Sequence, residues 1–214
     1  MNREMKAVIF DLDGVLCFTD KYHYQAWKAI ADRLGIYFDE KINDRLRGIS
    51  RMARLEIILE KSDRQYTLEE KEVFAEEKNA QYQKLLQQMS EKDMSDEVRQ
   101  TLAELRHRGY RLAVGSSSKN AQFILRQIGA VSYFDAVADG NDITKSKPDP
   151  EVFLKAAEKL GIAPEQCVVV EDADSGIRAA KAGNMTAYAL GGDVRYSGEK
   201  DVNLLSFSDI LNYL

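Results

Sequence analysis

Apolar positions follow two rhythms along this chain. From Ala7 to Val15 a short apolar run, rich in β-branched and aromatic residues, reads as a buried strand. It ends in Asp11 and Asp13, with Gly14 straight after to let the backbone turn away. The rhythm then changes to a 3.6-residue period. His23, Ala26, Trp27, Ile30, Ala31 and Leu34 form one stripe, predicting a helix over Asp20–Leu34 with Asp20 as its cap and Gly35 as its stop. Further helical patterns cover Glu40–Arg47, Met52–Glu60 and Thr67–Gln88, the last opened by a capping box of Thr67 and Glu70. Residues 16–89 therefore read as a charged, strand-free insertion, a helical cap domain.

From Asp96 onward helix and strand alternate. The helices are Glu97–Arg108, Ala121–Ile128, Glu151–Leu160, Gly176–Ala182 and a closing Ser206–Leu214. The strands are Arg111–Gly115, Ala136–Ala138, Cys167–Val170 and Thr186–Leu190. This order implies an α/β fold: a Rossmann-like, doubly wound parallel sheet formed by residues 1–15 and 90–214, with the cap inserted after the first strand.

A length of 214 residues suits one medium domain, or a core with a smaller insert. No apolar stretch approaches the roughly 18 residues of a membrane span. The formal net charge of −5, without a block of lysine and arginine, argues against nucleic acid or an anionic membrane as partner. Met1–Met5 is too short and polar to lead a signal peptide, and Cys17 and Cys167 lack metal-ligand spacing. A cytoplasmic monomer with reduced, structural cysteines is expected.

Four strand ends carry polar groups: Asp11 with Asp13, Ser116 with Lys119 and Asn120, Lys147, and Glu171 with Asp172. Each has a structural explanation alone, as a turn, a helix cap, a surface loop residue or a helix-start acid pair. In a parallel sheet, however, all four project to one edge, where such folds place their ligands. Carboxylates from Asp11, Asp13, Glu171 and Asp172 suit a hard, oxygen-ligated cation, foremost Mg²⁺. A serine hydroxyl, backbone N–H groups at a helix start and a lysine suit a phosphoryl group. Asp11 is placed to attack phosphorus and Asp13 to carry a proton. Neither a Gly-x-Gly-x-x-Gly nor a P-loop signature is present, which counts against dinucleotide and P-loop chemistry.

With these motifs in this order, the chain resembles the haloacid dehalogenase superfamily of phosphotransferases over nearly its whole length. The resemblance implies Asp11 as nucleophile and Asp13 as general acid/base. Within that superfamily it is similar to the β-phosphoglucomutase subfamily, through Thr19, Tyr22-His23, Ala26-Trp27-Lys28, Leu46–Arg51, Lys78-Asn79 and Ser116–Asn120. That similarity implies a phosphomutase acting on a hexose phosphate, interconverting β-D-glucose 1-phosphate and D-glucose 6-phosphate through an aspartyl phosphate. Thr19, His23, Trp27, Gly48, Ser50, Arg51 and Lys78 would then serve the substrate from the cap. His23 would couple substrate binding to placement of Asp13, Arg51 would hold the distal phosphate, and Lys78 would contact the sugar. Ser116, Ser117, Ser118, Lys119, Asn120 and Lys147 would surround the transferring phosphoryl group. Phe18, Met52-Ala53-Arg54 and Ser95-Asp96-Glu97 depart from the subfamily pattern. Two other readings stand beside the mutase: a sugar-phosphate phosphatase on the same scaffold, and a phospho-accepting signalling module.

Overall fold

The computed structural model describes residues 4–46, 50–191 and 199–214. In chain order its elements are β1 (Ala7–Phe10), α1 (Asp20–Arg33), α2 (Glu40–Asp44), α3 (Arg51–Leu59), α4 (Leu68–Leu86), α5 (Asp96–His107) and β2 (Arg111–Gly115). Then follow α6 (Ala121–Gln127), β3 (Ala136–Ala138), α7 (Glu151–Leu160), β4 (Cys167–Glu171), α8 (Asp174–Ala182), β5 (Thr186–Leu190) and β6 (Val202–Leu204). The chain folds into two compact units, Met1–Phe18 with Ser90–Leu214, and Thr19–Met89. Leu16 and Cys17, placed in the insertion by the pattern, are buried in the first unit.

The first unit is built on one six-stranded sheet of order β3-β2-β1-β4-β5-β6, parallel throughout. All four residues of β1 are buried because the sheet is covered on both faces. Ala7 and Ile9 join the apolar cluster containing Val152, Phe153, Ile177 and Ala180 of α7 and α8. On the opposite face Phe10 stacks on Phe207 at 5.5 Å and meets Phe134 edge-on at 6.2 Å. The strand order reverses between β1 and β4, the switch point at which open α/β sheets bind ligands.

Two expectations need correction in this unit. Val202–Leu204 forms a sixth strand, too short for its alternation to be legible. The closing segment is a 3₁₀ run over Phe207–Asn212 instead of an α-helix. The Asp209 carboxylate accepts from the backbone N–H groups of both Leu205 and Ser206 at 2.9 Å, tightening the first turn. Ser95-Asp96-Glu97 has a local role: Ser95 caps α5 by accepting from Val98 N at 3.2 Å, and the two acids sit in the first turn.

In the helical unit α1 and α3 pack on α4. The periodic stripe buries as expected, with Trp27, Ala31, Leu55, Ile58 and Leu59 in one cluster. Thr19, not Asp20, holds the cap position of α1, its carbonyl accepting from Tyr22 N and His23 N. The Thr67–Glu70 capping box forms as the sequence predicts. Among the described residues α2 stops at Asp44, short of the expected Arg47, which with Gly48 lies outside the described residues. No helix among the described residues is long and apolar enough to cross a membrane.

Candidate active site

Register delivers the first carboxylates. Phe10 pairs with Val170, and Asp11 N donates to Val170 O at 3.0 Å, so Asp11 leaves β1 opposite Glu171 at the end of β4. Lys147, on the segment leading into α7, reaches both acids: its Nζ lies 2.5 Å from Asp11 Oδ1 and 2.6 Å from Glu171 Oε1. The remaining Glu171 oxygen accepts from Ala173 N at 2.8 Å. The ammonium also lies 4.5 Å from the centre of the Phe153 ring.

Charge balance shapes this cluster. Burial alone would lower the Lys147 ammonium, but the Asp11 and Glu171 charges outweigh it and hold it above the ordinary lysine range. Glu171 is raised, chiefly by burial, against the pull of Lys147. Asp172 is pushed up to about 8 by burial and by the charges of Glu171 and Asp11. One lysine thus leaves negative charge in excess. Oxygens of Asp11, Glu171 and Asp172 lie within 4.8 Å of one another, a donor set that fits a hard divalent cation. The Asp13 side chain is not part of that set.

The backbone explains why. The strand does not stay extended through Asp13; it folds into a tight loop in which Leu16 N and Cys17 N both donate to Leu12 O. Gly14 opens that loop at φ +85°, where an added Cβ would also collide with the Asp172 carboxylate.

The loop after β2 is held by its own hydroxyls. Ser116 Oγ accepts from Ser118 N, and Ser118 Oγ from Asn120 N, each at 3.2 Å. Asn120 takes the cap position of α6, and Ser116 and Asn120 are buried. The Ser117 Oγ is buried without a hydrogen-bond partner among the described residues. Lys119 is exposed.

The helical unit gathers a second set. Lys78, only 3% exposed, places its ammonium 2.8 Å from His23 Nδ1. An ammonium has only donors, so Nδ1 is the acceptor and the neutral ring carries its proton on Nε2. Burial first, then the charges of Lys78, Arg54 and Arg51, hold His23 well below the ordinary histidine range. His23 stacks on Tyr82 at 4.1 Å, and Lys78 Nζ lies 4.3 Å from the Tyr82 ring centre and 5.1 Å from that of Trp27. Arg51 donates to Asn79 Oδ1 at 3.1 Å. Ser50 uses its hydroxyl to cap α3, accepting from Ala53 N at 3.3 Å. Trp27 is fully buried, with Nε1 lacking a hydrogen-bond partner among the described residues. Thr19 is buried at the start of α1. Tyr82, Asn79 and Phe153 were absent from the sequence-derived site. Tyr82 carried a signal, standing one helical turn from Lys78.

Comparison with known proteins gives this arrangement its context. A family model described as haloacid dehalogenase-like hydrolase matches residues 5–184. A β-phosphoglucomutase of Bacillus subtilis is 41% identical over 189 residues, covering 87% of this chain and 84% of that protein. A fructose-1-phosphate phosphatase of Escherichia coli is 32% identical over 189 residues, covering 87% of this chain and 97% of that protein. The crystal structure of a β-phosphoglucomutase from Clostridium difficile superposes with a TM-score of 0.88 at 35% identity, covering 98% of this chain and 95% of that one. The chain belongs to the haloacid dehalogenase-like hydrolase family.

Proposed function

We propose that this chain is a Mg²⁺-dependent phosphomutase interconverting β-D-glucose 1-phosphate and D-glucose 6-phosphate, with the helical unit as its cap. The observation that carries the reading is the buried contact between Lys78 and a neutral His23. Lysine is rarely this buried, and turning its ammonium on a neutral imidazole inside a helical insert gathers polar groups that packing alone does not call for. Similarity to two β-phosphoglucomutases supports the same reading.

Asp11 attacks phosphorus through Oδ2, because Lys147 engages Oδ1. Asp13 takes the proton of the accepting sugar hydroxyl and returns it in the reverse step. Ser116–Asn120 and Lys147 hold the transferring oxygens, and Arg51 holds the distal phosphate. Mg²⁺ bound by Asp11, Glu171 and Asp172 would neutralise charge on the phosphoryl group. Phospho-Asp11 passes its group to the open hydroxyl, giving a bound glucose 1,6-bisphosphate. That intermediate reorients and returns a phosphoryl group to Asp11.

The phosphatases among the relatives support a second reading, in which water accepts the phosphoryl group. The test supplies β-glucose 1-phosphate, Mg²⁺ and a trace of glucose 1,6-bisphosphate, and follows glucose 6-phosphate and free phosphate separately. Glucose 6-phosphate in large excess is expected; free phosphate alone would overturn the mutase. Asp11→Asn is expected to lower turnover at least about a thousand-fold.

A further inference from the structure

The turn Asp139-Gly140-Asn141-Asp142, which follows β3, has no part in the chemistry above, yet it lies directly against the Ser116–Asn120 loop. The two leave the sheet side by side: Ser116 N, one residue past the last β2–β3 pair of Gly115 with Ala138, donates to Ala138 O at 3.1 Å. Gly140 N then donates to Ser118 O at 3.2 Å. Asn141 Nδ2 donates to Lys119 O at 3.1 Å. A Cβ on Gly140 would sit 2.5 Å from Ser117 O and 2.8 Å from Lys119 N, both backbone atoms that have little room to yield.

The turn is itself rigidly built. Asp139 is 2% exposed, and its Oδ1 accepts from Asn141 N at 2.8 Å and Asn141 Nδ2 at 3.0 Å. Asp139 N donates to Asp142 Oδ2 at 2.9 Å. Lys159 of α7 holds the same Asp142 oxygen and Val137 O, each at 2.8 Å.

We propose that this turn is a template for the phosphoryl-binding loop, with Gly140 and Asn141 as positioning residues. In a trans peptide the N–H points opposite the C=O. Fixing Ser118 O on Gly140 therefore sets the direction of Lys119 N–H, and fixing Lys119 O on Asn141 keeps the next peptide from rotating. The loop's donors are thereby oriented before the anion arrives, which lowers the reorganisation that binding requires. The inference rests on assigning Ser116–Asn120 to the phosphoryl group, and the test separates the two.

The probe is inorganic phosphate, titrated by calorimetry into the Mg²⁺-loaded full chain. Ser116→Ala tests the loop assignment, Gly140→Ala and Asn141→Ala test the template, and Val98→Ala destabilises the same unit from α5. Asn141→Ala is expected to weaken phosphate about ten-fold, and Gly140→Ala more. Val98→Ala, at a comparable loss of thermal midpoint, should leave phosphate affinity within about two-fold, since distant effects are independent. Unchanged affinity in Asn141→Ala overturns the template even if Gly140→Ala fails to fold. Equal weakening by Val98→Ala overturns it too, because the effect is then global. Ser116→Ala without effect overturns the underlying loop assignment instead.

Discussion

Asp11 and Glu171 are both buried, and a single ammonium lies between them. Truncating Lys147 to alanine leaves two carboxylates close together in a low-dielectric site. Such breakage typically costs about 3–5 kcal/mol, and denaturant unfolding of Lys147→Ala without metal is expected to show a loss of that order. His23 supplies a pH dependence of known sign. Its pKa is lowered in the fold, so below about 6.5 the unfolded chain binds a proton that the native ring refuses. Its stabilising contribution is complete above that pH and is lost as pH falls toward the depressed folded value, at up to about 1.4 kcal/mol per pH unit. The charges of Lys78, Arg54 and Arg51 add to the depression that burial begins. Thermal midpoints from pH 8 to pH 5 should therefore fall more steeply for the wild type than for His23→Gln. Parallel slopes would show that the ring is not held neutral.

Elements were legible wherever the pattern had length or clear punctuation. Arg111–Gly115, Ala136–Ala138, Glu151–Leu160 and Thr186–Leu190 form with the bounds the sequence suggests. Gly161, in the left-handed conformation after α7, and the Thr67 capping box are local signals that need no distant partner. Misses fell where distant partners decide. Three residues of β6, Val202–Leu204, become a strand because they pair with Tyr188–Leu190 on the open edge of β5. The 3₁₀ winding of the terminal segment is a separate, local case, with Asp209 accepting from Ser206 N three residues earlier in a capping box like that of Thr67. Asp11 and Asp13 stand two residues apart at the end of one apolar run. The chain bends at Leu12, between the two, and the carboxylates that lie together are those of Asp11, Glu171 and Asp172.

At the scale of the molecule, the two compact units divide chemistry from recognition under the proposed function. Metal addition should then register in one unit only. Ligand that binds the native state stabilises what it touches according to its concentration over its dissociation constant. Saturating Mg²⁺ is expected to slow amide exchange around Asp11 and Glu171, and to leave α1 and α4 of the helical unit unchanged. Chelation should reverse the effect, and hydrogen-exchange mass spectrometry reads both. Uniform protection across α1 and α4 would argue against a metal site confined to the sheet unit.

By itself the sequence determined the alternation that makes a parallel sheet, the helical insertion, and the residue types waiting at four strand ends. These follow from local periodicity and from the directionality of parallel strands, both properties of neighbouring residues. Only the tertiary structure decided which of those groups meet. Lys147 reaches Asp11 across 136 positions of chain, and Glu171 across 24, because the order of strands brings β1 beside β4. Lys78 reaches His23 across 55 positions because α1 packs on α4. Distances of that kind depend on register and packing, which no local pattern carries.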